Sequence, residues 1–261
     1  MASAGLATLP PVNKVKVGFF SFTEITDPAE HRAYNEWHQL DHMPEQFPIP
    51  GIVFGQRWVS TPACRAARAV DEDPLRPVHY MTLYLMADPV DRTLRDFMEV
   101  GQQLRALGRF HQYRRAAVSG PHQWLEGHAA PRVLVGAEAV PYRPNRGIYT
   151  IVEEPQETGS ASAADAADAW VRGLHTDWAV AACALPGVAG VWQFATSPAL
   201  RGAGWSGGER RVTVCYLDDD PLAVAEAIRP LLADRWRDAP VRPVHAGPYE
   251  TVVPFQWDWF D

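Results

Sequence analysis

The residues best able to do chemistry lie close together: Tyr34, Trp37, His38, Asp41, His42, Glu45, Arg57 and Trp58 fall within residues 34 to 58. On a helix, His38, Asp41, His42 and Glu45 are three or four positions apart and share one face, as far as the break expected before Pro44. His42 would then sit at a helix C-terminus, where the partial negative charge and a neighbouring Asp41 or Glu45 raise an imidazole pKa. Such a histidine works as acid or base near neutral pH. The expected roles are His42 as proton shuttle, Asp41 orienting it, and His38 and Tyr34 assisting. Trp37, Glu45, Arg57 and Trp58 would bind substrate, with Arg57 holding an enolate or carboxylate. The competing reading is a solvated helix end with ordinary surface charges.

Two imidazoles at i and i+4 also have metal-binding spacing, with Asp41 or one of His111, His122 and His128 as a completing ligand. That spacing alone is weak support, so the expectation is no metal and no cofactor. No Gly-rich phosphate loop follows a strand. Cys64, Cys183 and Cys215 form no CxxC pair and stand in apolar settings, which predicts free, buried thiols.

The composition narrows the partners. A formal charge of −7 and the lack of clustered Lys and Arg argue against nucleic acid. No apolar run nears the roughly 20 residues that span a bilayer, and residues 1 to 17 lack the features of a secretion signal, so a cytoplasmic protein with no membrane partner is expected. Ten Trp, eight Tyr and ten Phe would suit a pocket for a flat apolar ligand.

The elements that must position these residues come in two series. Residues 41 to 58 resemble residues 177 to 194 at an offset of 136, from Pro50 to Pro186. Residues 83 to 91 resemble 215 to 223 at an offset of 132, and 137 to 143 resemble 250 to 256 at an offset of 113. Order is kept, which points to a tandem duplication. Each half reads strand, helix, two strands, an Asp-Pro-initiated helix and a last strand, placed at 132 to 140 in the first half. The expected fold is therefore α+β: two tandem ferredoxin-like βαββαβ units packed sheet to sheet. The first unit would cover 14–143 and carry the site, and the second 146–261 and support it, with the break at 142 to 147. Segments 61 to 77 and 108 to 131 read as long loops of no evident role. An edge strand left free on each unit would allow a homodimer. At the offset of 136 the halves diverge: His38 meets Leu174 and His42 meets Trp178, while Asp41 meets Asp177. In the second half an apolar, supportive Trp178 and a surface His175 are expected.

The stretch resembles the dimeric α/β-barrel superfamily, and within it the EthD-like proteins. The likeness rests on an aromatic-x-x-Trp helix, then His, Pro two residues later and a Pro-Gly pair: Tyr34, Trp37, His42, Pro44, Pro50 and Gly51. That superfamily includes isomerases, polyketide cyclases, lyases, cofactor-free monooxygenases and, in tandem form, haem enzymes, so the fold does not fix the reaction. The expectation drawn from residues and resemblance together is a cofactor-independent lyase, isomerase or cyclase that moves a proton on a small apolar aromatic or polyketide-like carbonyl compound. The alternatives are a non-catalytic small-ligand binding protein, or a metal- or haem-dependent oxidoreductase of the same fold.

Overall fold

The computed structural model describes residues 13–156, 160–200 and 208–261. The first series of elements is β1 (Val15–Ile25), α1 (His31–Trp37), β2 (Ile52–Val59), α2 (Pro62–Ala66), β3 (Val70–Asp71), β4 (Tyr80–Ala87), α3 (Val90–Ala106) and β5 (Arg114–Ala129). The second is β6 (Gly147–Pro155), α4 (Ala161–Arg172), α5 (Thr176–Cys183), β7 (Val188–Ala195), β8 (Arg211–Leu217), α6 (Pro221–Trp236) and β9 (Val241–Thr251).

The strands run β2-β4-β1-β5-β7-β8-β6-β9, all antiparallel, and β9 returns to β2 through Trp58↔Thr251 and Val59↔Glu250. Two four-stranded sheets thus close into one eight-stranded barrel, with the helices outside. At this strand number a barrel interior is just wide enough for side chains to fill. Phe20, Phe22, Trp58, Leu83, Trp192, Phe194 and Tyr249 fill it, all of them buried. The strands alternate to match: in β1, Phe20 and Phe22 face the lumen while Phe19 packs outward on Phe97 of α3.

Several sequence expectations change. The fourth strand of the first series is β5, not residues 132 to 140, which form turns and a 3-10 stretch (Ala137–Tyr142). Gly120-Pro121 inside β5 disguised it, because an internal proline argues against a strand. The same pair recurs as Gly247-Pro248 in β9, an offset of 127 from Gly120, and both prolines sit opposite the outer aromatic of the neighbouring strand, Phe19 and Tyr149. The match at offset 113 therefore joins residues that are not structural counterparts. The "loop" 61 to 77 contains α2 and the two-residue strand β3, which pairs with β9. The β5–β7 ladder and a two-residue β9–β2 ladder join the outer strands within the chain, so closing the barrel does not require a second copy. The second-half helix breaks in two at Gly173, and Trp178 is only partly buried, its ring against Arg235 and its Nε1 donating to the Leu231 carbonyl at 3.2 Å. His175 is half-buried against Trp170, with its pKa lowered to about 4 by burial.

Trp58 fills the lumen beside Tyr216 and donates from Nε1 to the Asn145 Oδ1 at 2.9 Å. Trp58→Ala should destabilise the fold by about 3 to 5 kcal/mol through the cavity it leaves, read as a fall in the denaturant midpoint. A loss below ~1 kcal/mol would contradict a packed lumen.

Candidate functional site

A cavity of about 310 Å³ lies between the outer face of the first-half sheet and helices α1 and α3. The sheet contributes Phe19, Ser21, Thr82, Tyr84 and Arg114. The chain after α1 contributes His38, His42 and Gln46, and α3 contributes Phe97, Met98, Gly101, Gln102 and Arg105. Gly101 keeps one wall low, since a Cβ there would meet nothing within 4 Å.

The histidines are placed by a π-helical turn, His38–His42, which continues α1 and is closed by the Met43 amide donating to the His38 carbonyl at 3.0 Å. Such turns are uncommon and often mark functional sites. Pro44 then leads into a short 3-10 turn (Pro44–Gln46). The two rings meet edge to face with centroids 5.2 Å apart, and Trp37 stacks on His42 at 4.7 Å. Both histidines are buried, and each leaves its Nδ1 without a hydrogen-bond partner. Tyr34 stands edge-on to His38, centroids 5.7 Å apart.

The electrostatics reverse the sequence expectation. Burial first, then Arg114, lowers the His42 pKa to about 4, and the opposing pull of Asp41 is too small to compensate. Burial and Arg57 push His38 well below its ordinary value as well. Both imidazoles are therefore neutral at pH 7. Asp41 points away from the cavity into a two-pronged pair with Arg109, at 2.9 and 3.1 Å, and Glu45 joins the same guanidinium at 2.7 Å. Arg57 lies outside the cavity, donating to Asn35 Oδ1 at 2.9 Å and covered by the Tyr34 and Tyr80 rings. Trp58 belongs to the barrel lumen. Of the eight expected residues the structure brings His38, His42, Tyr34 and Trp37 together, keeps Arg57 on the far side of Tyr34, and sets Asp41, Glu45 and Trp58 apart.

Arg114, Arg105, Phe110 and Tyr84 were missed. Arg114 reaches Ser21 Oγ at 3.2 Å, and Arg105 caps the Phe110 ring at 4.6 Å. The signals were present: Phe97, Gly101 and Arg105 recur every fourth residue on one helix face, and "RR" at 114 to 115 is a strand start whose alternation turns one arginine inward.

No third metal ligand joins the two histidines, and among the described residues no group of three His, Cys, Asp or Glu side chains could hold a metal ion. His111 pairs with Glu30 at 3.4 Å, His122 packs on Phe20, and His128 pairs with Glu126 at 3.0 Å. The cysteines are free and buried, as expected. No described helix is long and apolar enough to cross a membrane.

No protein-family model matches the chain, and no curated protein sequence does. Solved structures do resemble it. An anthrone oxidase-like protein superposes with a TM-score of 0.52 at 12% identity, over 92% of this chain and 92% of that one. A dye-decolorizing peroxidase from Bacteroides thetaiotaomicron superposes with a TM-score of 0.52 at 6% identity, over 95% of each chain. The likeness is one of fold: a dimeric α/β barrel. The expected cofactor-independent lyase, isomerase or cyclase is overturned: the barrel's structural relatives include a peroxidase, and His42 is not a group poised to exchange protons near pH 7.

A pH dependence follows. The unfolded chain takes up a proton at each histidine near 6.5, whereas folded His42 resists until about pH 4, so the unfolded state binds more protons in between and stability must fall as pH drops through that window. Each such histidine adds a slope of up to about 1.4 kcal/mol per pH unit, and His31, His122 and His175, also lowered to about 4, act in the same sense. Urea unfolding at pH 7, 6 and 5 should show this loss, and the His42 ring should titrate near 4 by NMR. A His42 pKa at or above 6.5 would reverse the electrostatic assignment.

Proposed function

We propose that this protein is an oxidoreductase of a small, flat, largely apolar aromatic compound, with haem as its redox group at the first-half cavity wall that carries His38 and His42. The observation that carries the reading is a pair of buried imidazoles, neutral at pH 7 and each with an unpartnered nitrogen, in an aromatic cavity lined by two arginines and no carboxylate. That donor set fits the group: neutral imidazole is the form that ligates iron, guanidinium pairs with carboxylate, and Phe19, Phe97 and Phe110 offer flat apolar faces. His42 or His38 would hold the iron, and Arg105 and Arg114 the propionates. When bound, haem supplies one-electron and oxygen-linked redox chemistry. The chain's own side chains do the rest. Phe19, Phe97 and Phe110 exclude water.

In this reading residues 14–143 carry the site and 146–261 support it. The EthD-like motif, Tyr34, Trp37, His42 and Pro44, marks the wall that bears the histidines. A second reading, a carrier of a small aromatic ligand, is favoured by one observation: 310 Å³ is at the lower end of ligand-site volumes.

Adding haem to the purified chain should give a saturable Soret shift at one equivalent, abolished or moved by His42→Ala or His38→Ala, with far-UV circular dichroism unchanged. Loss of the shift in both variants is compatible with the wall as drawn. No saturable shift in the wild type, with aromatic ligands still quenching tryptophan fluorescence, would replace the oxidoreductase with the carrier.

A further inference from the structure

Arg114 lines the cavity as a cation with no acidic partner among the described residues. Its Nη2 donates to a hydroxyl, Ser21 Oγ, at 3.2 Å, the Tyr34 hydroxyl stands beside it, and its Nε is buried with no hydrogen-bond partner. Each carboxylate nearby is committed elsewhere. Asp41 and Glu45 are held by Arg109 outside the cavity, Glu24 pairs with Arg115, and Glu30 with His111. The second arginine of the lining, Arg105, has a phenyl ring beneath it instead of an acid. A buried guanidinium left in this way is costly unless something negative arrives. The neutral imidazoles beside it cannot supply that charge.

We infer that the cavity selects a flat aromatic carboxylate and that Arg114 is the group that anchors its charge, Ser21 holding the guanidinium in place. The inference rests on reading the cavity as a ligand site, and it names the ligand's chemistry. The aromatic body lies between Phe19, Phe97 and Phe110, and the carboxylate meets the free Nε edge of Arg114, a geometry that guanidinium offers and ammonium does not. A carboxylate of this kind has two sources, a free aryl acid or the propionate of a porphyrin, and the same anchor would serve either.

The test compares acid with neutral isostere on the whole chain. 2-Naphthoate and 2-naphthamide are titrated by tryptophan fluorescence and calorimetry, and in a second arm haem is compared with its dimethyl ester. At least one acid should bind tenfold or more tighter than its neutral partner. Preference in the naphthyl arm points to a free aryl acid, and preference in the haem arm to a propionate. Arg114→Gln should erase the preference for acid over neutral isostere, and Arg114→Lys should restore part of it. Equal binding of acid and isostere in both arms overturns the anchor but leaves the ligand site standing. No binding of any of the four compounds overturns the site itself, and the anchor with it. The wild-type comparison decides the matter even if Arg114→Gln fails to fold.

Discussion

Closure of the barrel is the constraint from which the site follows. A four-stranded sheet with helices on one face leaves two open edges and one bare face. Here both problems are solved by the same contacts: β5 pairs with β7, β9 returns to β2, and the two bare faces become one lumen. Because Trp58, Trp192, Phe20 and Tyr249 fill that lumen, no ligand can occupy the barrel's centre. The space left for function lies outside the barrel wall, under a helix. Any site must therefore be built from outward-facing strand residues and the inner faces of α1 and α3, which is where the cavity is found.

The two halves offer such a space in different states. In the second half the corresponding region is filled by an ionic core. Arg235 grips Glu153 at 2.5 and 2.8 Å, Arg211 reaches Gln193 Oε1 at 2.5 Å, and Trp170 and Trp178 lie against the Arg235 guanidinium. Glu153 is fully buried and so has no alternative partner in water. Breaking such a pair strands a charge, which makes the arrangement rigid. In the first half no acid faces Arg114, and the same kind of space stays open. The two halves differ by charge compensation around the arginines in one and its lack in the other, not by an apolar Trp178 against a polar His42.

Most of the fold was legible because strand and helix periods are local. Alternation found β1, β2, β4, β6, β7 and β8, and the Asp-Pro pair found α6, whose N-cap Asp220 accepts from the Leu222 amide. β5 was hidden by Gly120-Pro121, although the same pair in β9 could have revealed it as a repeat. The site was half legible. Helical spacing rightly grouped His38 with His42, since both rings lie on the segment that carries them. It wrongly joined Asp41 to them, because a π-helical turn rotates successive residues differently from an α-helix, and Arg109, 68 positions along the chain, pulls the carboxylate outward. Arg114 could not be read at all from the neighbourhood of residue 42. It arrives from β5 through sheet pairing, a contact set by the fold and not by sequence distance.

That last contact decides the chemistry. Two guanidiniums, Arg57 and Arg114, lie close enough to lower the histidine pKa values, and neither has an acidic partner among the described residues. Protonating His42 would place a third positive charge in the same low-dielectric volume, so the fold itself selects the neutral ring. A neutral imidazole in a cationic pocket is a poor proton shuttle at pH 7, but a good donor to a metal-centred cofactor and a tolerant neighbour for an anion. Moving the carboxylates outward onto Arg109 and Arg115 thus does two things at once. It leaves Arg114 in the cavity without an acidic partner, and it keeps the histidines unprotonated.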